Sequence, residues 1–146
     1  MKNLFWPYFY VFVQFLSLAF LLASAPVFAK SVHGMLVEAV GFFLGILAIL
    51  NIGINNFRVT PLPKSDAKFV ATGIYEFVRH PMYFAQLLVV GVLVIEYFTW
   101  IRLVVLAVLC VNLLFKMRFE ERKLLAYFPE YKEYIQKSWH FLPYIF

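Results

Sequence analysis

Four long apolar segments dominate the pattern of hydrophobic and polar residues along the chain. They cover about residues 8 to 28, 34 to 54, 81 to 96 and 100 to 115. A helix that crosses a bilayer needs about 20 mainly apolar residues, so the first two segments suit full crossings. The last two have about 16 residues each, which at about 1.5 Å per residue is barely enough.

The sequence EYFTW separates the last two segments. A glutamate and several aromatic side chains suit a membrane interface, so we predict a tight turn between two antiparallel helices. A single tilted helix of about 35 residues is the alternative. The hairpin would bring the chain near residue 120 back to the side at which it entered near residue 80.

Composition supports an integral membrane protein with an all-α fold. Hydrophobic residues make up 64% of the 146 residues and charged residues only 14%, whereas a soluble domain is about half apolar and a quarter charged. The first segment resembles a signal peptide that ends at Ala29. It is long and aromatic-rich, with a single preceding lysine, Lys2, so we expect it to be retained as a membrane span. The lone cysteine, Cys110, excludes an internal disulfide.

The basic residues predict the orientation. With the N-terminus inside, only Lys30 and Arg102 lie outside, and the other 11 of 13 lie on the cytoplasmic side. These are Lys2, Arg58, Lys64, Lys68, Arg79, Lys116, Arg118, Arg122, Lys123, Lys132 and Lys137. Cytoplasmic loops are enriched in Lys and Arg. The pattern therefore predicts four spans in a single domain, residues 1–146, with both termini cytoplasmic.

Two other patterns bear on packing. Gly41 and Gly45 lie four residues apart in the second segment, and small residues at this spacing allow close helix contact. We expect packing within the chain, with a homodimer through Gly41 and Gly45 as the alternative.

After Phe115 the fourth helix should continue to about Tyr127, and Pro129 should start a new helix. Its aromatic face would lie on the membrane or close over a site.

The predicted hairpin brings ionisable side chains together at its cytoplasmic end. Arg79 and His80 precede the third segment, and Glu120 and Glu121 follow the fourth. Carboxylates accept hydrogen bonds from an ammonium group or from ribose hydroxyls, and an arginine binds a carboxylate. Tyr75 and Tyr83 can present ring faces to a soft cation such as a sulfonium. These residues also have an explanation without a binding site. Arg79 can be one of the cations that mark the cytoplasmic flank of a membrane helix, and Glu120 and Glu121 can lie on a solvated helix surface.

Other catalytic patterns find little support in the sequence. His33, His80, His140 and Cys110 are far apart, without the spacing of metal ligands. Phosphate-binding loops, dinucleotide fingerprints and nucleophile elbows are missing from the sequence. We therefore predict no metal site.

The segment TGIYEFVRHPMYFAQLL resembles a known signature, Gly-x-Tyr-x-x-x-Arg-His-Pro-x-Tyr. It is typical of the isoprenylcysteine carboxyl methyltransferase family and its phospholipid methyltransferase relatives. The segment FEERKLLAYFPEYKEYIQKSWHFLPYI is similar to the family's C-terminal pattern. The resemblance covers about residues 57 to 144, and the two motifs stand in order at a spacing that fits a helical hairpin.

The resemblance implies a membrane-embedded methyltransferase that uses S-adenosylmethionine. It implies a cofactor region at about residues 72–85 and 116–144. The implied cofactor-binding residues are Tyr75, His80, Pro81, Tyr83, Glu120, Glu121 and Tyr131, and Arg79 and Glu120 are the catalytic candidates. The chain departs from the family at Ala85 and Pro129, where glycine is usual. The extra methyl of Ala85 would narrow a cofactor pocket.

The expected acceptor of the methyl group is lipophilic and enters from the bilayer. An isoprenylcysteine-like carboxylate, a phospholipid amine and a small hydrophobic thiol or amine all fit, and a nucleic acid does not. Two other functions remain open. One is a non-enzymatic membrane protein such as a transporter subunit or an assembly factor. The other is a related membrane reductase with a nicotinamide cofactor, against which the short tail argues.

Overall fold

The computed structural model describes residues 5–53, 56 and 69–141, and these residues are built almost entirely from helices. The elements are α1 (Phe5–Ala23), α2 (Val32–Ile52), a 3₁₀ turn (Gly73–Glu76), α3 (Pro81–Glu96), α4 (Trp100–Tyr127) and α5 (Tyr131–Lys137). The predicted all-α membrane fold is confirmed. Of the predicted cytoplasmic cations, Lys2, Arg58, Lys64 and Lys68 lie outside the described residues.

Within the described residues, three helices are long and apolar enough to cross a membrane, namely α1, α2 and α4, and α3 is a shorter apolar helix of 16 residues. Large apolar side chains point outward from α1 and α2. Examples are Phe12, Phe15, Leu36, Phe43 and Leu50. In water such a surface would be costly, because each apolar side chain loses its transfer free energy when it is exposed. Contact with lipid tails removes that cost.

The predicted helical hairpin is confirmed, with a turn at residues 97–99 between α3 and α4. The Thr99 side chain caps α4 by accepting a hydrogen bond from the Arg102 N–H at 3.2 Å. The carboxylate of Glu96, at the end of α3, accepts from the backbone N–H of Ser31 at 3.2 Å, at the start of α2. The end of the hairpin that carries the turn is thus tied to α2.

Some predicted boundaries are wrong. The first helix ends at Ala23 rather than near residue 28, because Pro26 follows and a residue before proline avoids the helical conformation. The last helix begins at Tyr131, after a turn that contains Pro129. The predicted extension of the fourth helix to Tyr127 is confirmed.

Gly41 and Gly45 lie where α2 packs against α3. A Cβ atom at Gly41 would stand 2.8 Å from Val89 Cγ2 and 3.1 Å from the Ala85 carbonyl oxygen. A Cβ at Gly45 would stand 3.6 Å from the Ala85 Cβ. The glycines therefore serve packing within the chain, as expected, and the homodimer stays a prediction. The Ala85 methyl is directed at α2.

Helix α1 is joined to the rest of the fold by polar contacts inside the apolar region. The Gln14 amide donates to Gln86 Oε1 on α3 and accepts from Lys116 Nζ on α4, both at 2.7 Å. Near the other end of α1, Arg102 donates to the Leu21 carbonyl oxygen at 3.1 Å. Because polar groups in lipid need partners, these contacts fix the position of α1 against α3 and α4.

The glycine of the Gly-x-Tyr motif has a backbone reason. Gly73 has φ +63°, and a Cβ there would clash with Asn51 Oδ1, which accepts the Ile74 N–H at 2.7 Å. We expect Gly73→Ala to lower the free energy of unfolding by at least about 1–2 kcal/mol, the cost of a left-handed L-residue. Thermal unfolding in detergent measures this. Gly91→Ala is the control, since nothing lies within 4 Å of a Cβ there. Equal midpoints for the two variants would contradict this account.

Candidate active site

The hairpin brings Arg79 and His80 into contact with the two glutamates, as the sequence predicts. The Arg79 Nε atom lies 2.8 Å from Glu121 Oε1, and His80 Nε2 lies 3.2 Å from the same oxygen. His80 Nδ1 stands 3.7 Å from Glu120 Oε2. The imidazole of His80 therefore lies between the two carboxylates.

Tyr83 forms the membrane side of this cluster. Its hydroxyl donates to the Glu120 carboxylate, whose two oxygens both lie at 2.6 Å. Its ring stacks on His80 with centroids 5.3 Å apart and planes 6° from parallel. Pro81 occupies the first position of α3, where its fixed φ suits a helix start. One turn of α3 thus holds both His80 and Tyr83 against Glu120.

The buried guanidinium of Arg79 joins the hairpin to the C-terminal segment. Its Nη1 atom donates to the carbonyl oxygens of Ile135 (3.1 Å) and Ser138. Its Nη2 atom contacts His140 Nε2 at 2.9 Å. Burial and the nearby Arg79 charge lower the pKa of His140, so its ring is neutral at pH 7 and its Nε2 can accept this hydrogen bond. Arg79 is therefore a hub that binds Glu121 and the tail together.

Backbone contacts reinforce this junction. The Arg79 N–H donates to the Trp139 carbonyl oxygen at 2.7 Å, the His80 N–H donates to that of His140 at 3.1 Å, and the Trp139 N–H donates to that of Phe77 at 2.9 Å. Residues 138–141 thus lie alongside residues 77–80. We call residues 138–141 the C-terminal strap.

Helix α5 closes over the same region. Tyr131 and Tyr134 are its buried residues, and both pack on the ring of Phe69, with centroids 5.9 and 5.3 Å away. Burial raises the pKa of Tyr134 to about 12, so its hydroxyl stays protonated and donates to the Tyr75 carbonyl oxygen. Of the two expected positions for this aromatic face, the structure shows the one over the site.

Tyr75 points a buried hydroxyl into the cluster. Among the described residues that oxygen has no hydrogen-bond partner. Burial raises the pKa of Tyr75, and the nearby Tyr134 and Glu120 add to the rise, so the hydroxyl is a protonated donor. Because a buried polar atom without a partner is costly, this atom is suited to a ligand.

The two glutamates have different surroundings. Glu121 lies beyond the apolar part of α4. Its Oε1 atom contacts both Arg79 and His80, and its Oε2 atom lies 3.5 Å from His140 Nε2. Burial opposes its ionisation, but the hydrogen bonds and charges of His80 and Arg79 outweigh burial and lower the pKa of Glu121 to about 2. Glu120 is held by Tyr83 and faces Tyr75. Glu121 is therefore the partner bound by Arg79, whereas Glu120 is bound by Tyr83 and lies near His80.

The low pKa of Glu121 predicts an acid-sensitive fold. A carboxylate whose pKa is lowered from 4.5 to about 2 on folding stabilises the protein above about pH 4.5, and this stabilisation is lost as the pH falls toward 2. We expect the difference in unfolding midpoint between wild type and Glu121→Gln to shrink over that range. Thermal unfolding in detergent at several pH values checks this, with the exposed Glu133→Gln as control. A pH-independent difference would contradict the assignment.

Sequence reasoning missed three contributors to the site. Ser138 and His140 contact Arg79. They lie 59 and 61 residues away from it in the sequence, so no local pattern indicates the contact. Asn51, at the end of α2, holds the turn that carries Tyr75. His80 and His140, distant in sequence, meet on opposite oxygens of Glu121. The described residues nevertheless contain no group of three or more His, Cys, Asp or Glu side chains that could hold a metal ion.

A model of the phospholipid methyltransferase family matches residues 29–130, more than two thirds of the chain. The chain belongs to the phospholipid methyltransferase family. The suspected relationship to membrane methyltransferases is thereby confirmed. No individual curated protein matches the sequence significantly. The match includes Tyr75, the Arg79–Tyr83 segment and both glutamates, and it ends before Tyr131 and the C-terminal strap.

Membership in this family makes the chain a membrane methyltransferase. The chemistry of the site fits the cofactor that such enzymes use. A carboxylate, Glu120, accepts hydrogen bonds from hydroxyl or ammonium groups, and the buried hydroxyl of Tyr75 offers a donor. Aromatic rings such as those of Tyr75 and Tyr131 can bind a sulfonium through their electron-rich faces. The residues present therefore suit S-adenosylmethionine.

Proposed function

We propose that the protein transfers a methyl group from S-adenosylmethionine to the amine of a phospholipid at the cytoplasmic membrane interface. The observation that carries the proposal is the Glu120 carboxylate, held at 2.6 Å by Tyr83 at the cytoplasmic end of the hairpin. Family membership supplies the reaction class. In this proposal both termini lie in the cytoplasm.

The carboxylates favour an amine over a carboxylate acceptor. Glu121 is paired with Arg79, whereas Glu120 accepts its hydrogen bond from the Tyr83 hydroxyl, so the charge of Glu120 repels an incoming carboxylate at short range. An ammonium group is attracted instead, and Glu120 can accept its proton. A lipid amine also explains why the site lies at the end of the hairpin. The lipid tails can remain in the bilayer while the headgroup reaches the residues of α4 beyond the apolar region.

Each residue of the site has its own role in this mechanism. S-adenosylmethionine, when bound, supplies an electrophilic methyl group on a sulfonium. Glu120 takes a proton from the lipid ammonium, which frees the nitrogen lone pair for attack. His80 and Tyr83 hold Glu120 in place, and Arg79 with Glu121 fixes the segment that carries them. The sulfonium would give up its methyl group to the lipid nitrogen and leave as a neutral thioether, and the residues of the site would align the nitrogen with that methyl group.

Binding of the cofactor tests the proposal. We expect S-adenosylmethionine to give a calorimetric signal with the wild type in detergent and a weaker one with Glu120→Gln, because a neutral amide attracts a cation less well. The exposed Glu133→Gln variant is the control and should bind like the wild type. No heat from the wild type, or equal affinity in all three proteins, would refute the cofactor assignment. A calorimetric titration with NADPH under the same conditions tests the reductase alternative, which requires that NADPH binds.

A further inference from the structure

A buried arginine lies at the end of the helix bundle that carries the hairpin turn, opposite the candidate active site. Arg102, in the first turn of α4, is only 2% exposed. An arginine side chain stays charged in proteins. A charged side chain in a membrane helix is costly and usually marks a function. The proposed methyl transfer does not use this one.

One nitrogen of the guanidinium holds the whole group in place. The Nη1 atom of Arg102 donates to the Leu21 carbonyl oxygen at 3.1 Å and to the Ser24 hydroxyl at 2.6 Å. These acceptors lie at the end of α1 and in the turn that follows it. Both acceptors are uncharged, so they orient the guanidinium without neutralising its charge.

The other two nitrogens of Arg102 form an edge without a partner. Its Nε and Nη2 atoms are buried and have no hydrogen-bond partner among the described residues, and buried donors without a partner are costly. The N–H bonds on this edge of a guanidinium run parallel, and they match two oxygens of a carboxylate or a phosphate. Because Nη1 already fixes the plane of the group, this edge is oriented in advance for an anion with two oxygens.

The surroundings of Arg102 indicate which anion this is. Trp100 and Ile101 precede it and are 74% and 65% exposed, and tryptophan is enriched at the membrane–water interface. Ser24, which binds the guanidinium, is exposed as well, so the group lies near the surface of this end of the bundle, at the depth of lipid headgroups. The anion that every phospholipid carries at this depth is a phosphate.

We propose that the Nε–Nη2 edge of Arg102 binds a phosphate group, which a phospholipid supplies at the interface beside the hairpin turn. The headgroup reaches this edge when the exposed turn at residues 24–28 moves aside. The bound phosphate neutralises the buried charge and, through Arg102, joins a lipid to the ends of α1 and α4. This site lies apart from the candidate active site, and the inference does not depend on the proposed methyl transfer.

Two lipids with the same tails test the inference in detergent. Phosphatidylglycerol has a phosphate and no amine, and diacylglycerol has no phosphate. We expect phosphatidylglycerol to raise the thermal unfolding midpoint of the wild type and diacylglycerol to leave it unchanged. Arg102→Gln should lose this shift, and native mass spectrometry should show its phosphatidylglycerol binding weakened about tenfold or more, as expected for lost hydrogen bonds to a charged group. Arg102→Lys keeps the charge without the planar fork, so it should fall between the two and shows that a substituted protein folds.

Lys30→Gln is the matched control, since it removes an exposed cation from the same end of the bundle, and it should respond like the wild type. An equal phosphatidylglycerol shift in wild type and Arg102→Gln, or an equal loss in Lys30→Gln, would overturn the inference and leave Arg102 as a residue that only joins α1 to α4. An equal response of the wild type to both lipids would overturn it as well. A shift that depends on Arg102 and is produced by inorganic phosphate without lipid would support phosphate recognition and identify a soluble ion as its source.

Discussion

Glu120→Gln is expected to reduce methyl transfer to a lipid amine by about a hundredfold or more, the range of a lost general base. The neutral amide cannot take the proton that the ammonium must release before its nitrogen attacks. The Tyr83 hydroxyl retains an acceptor in the amide oxygen, so the fold should be preserved. The measurement is the initial rate with saturating cofactor and lipid, across a range of pH.

The pH dependence of the methyl-transfer rate shows whether Glu120 acts as a base or only positions other groups. If Glu120 accepts the proton, the residual rate of Glu120→Gln should rise with pH, as more of the lipid amine is already deprotonated in solution. Glu133→Gln, in an exposed position on α5, should match the wild type. A rate within a few-fold of wild type in Glu120→Gln, or a loss that is identical at every pH, would contradict the assignment of the base.

Arg79→Ala is expected to have the largest effect on stability. Its guanidinium binds Glu121, the carbonyl oxygens of Ile135 and Ser138, and His140. Removal of one member of a buried ion pair costs about 3–5 kcal/mol, because the remaining charge keeps its desolvation penalty. The unfolding midpoint in detergent should fall well below that of Arg118→Ala, which removes an exposed arginine of α4.

Limited proteolysis gives the local readout for the same variant. Release of the C-terminal strap from Arg79 should expose residues 128–141 to protease before the helical core is cut. Arg79→Lys keeps the charge without the planar fork, and it should fall between wild type and Arg79→Ala. A strap that is protected equally in wild type and Arg79→Ala would show that the backbone contacts alone hold it.

Much of the architecture follows from the sequence because membrane helices have simple rules. Segment length, an interfacial EYFTW turn and the distribution of Lys and Arg suffice to predict the hairpin between α3 and α4. The hairpin in turn predicts that Arg79 and His80 meet Glu120 and Glu121. Residues forty apart in sequence become neighbours through one turn, which a pattern can indicate.

Contacts that depend on packing between non-consecutive helices are different. The sequence does not indicate that Gln14 of α1 binds Lys116 of α4, because nothing local fixes the rotation of α1. The contact between Arg79 and the strap depends on where α5 ends, and α5 begins at Tyr131 rather than at the predicted Pro129. The Ala85 methyl faces α2 rather than the site, a direction set by the α2–α3 contact at Gly45.

The central claim is that Glu120 serves a methyl transfer to a lipid amine. The most direct test incubates the purified wild type and Glu120→Gln with S-adenosylmethionine labelled on its methyl group and vesicles that contain phosphatidylethanolamine, and then separates the lipids. We expect label in N-methylated phospholipid with the wild type, and at least about a hundredfold less with the variant. Label that appears only in carboxyl esters or thioethers, or in no lipid at all, would contradict it.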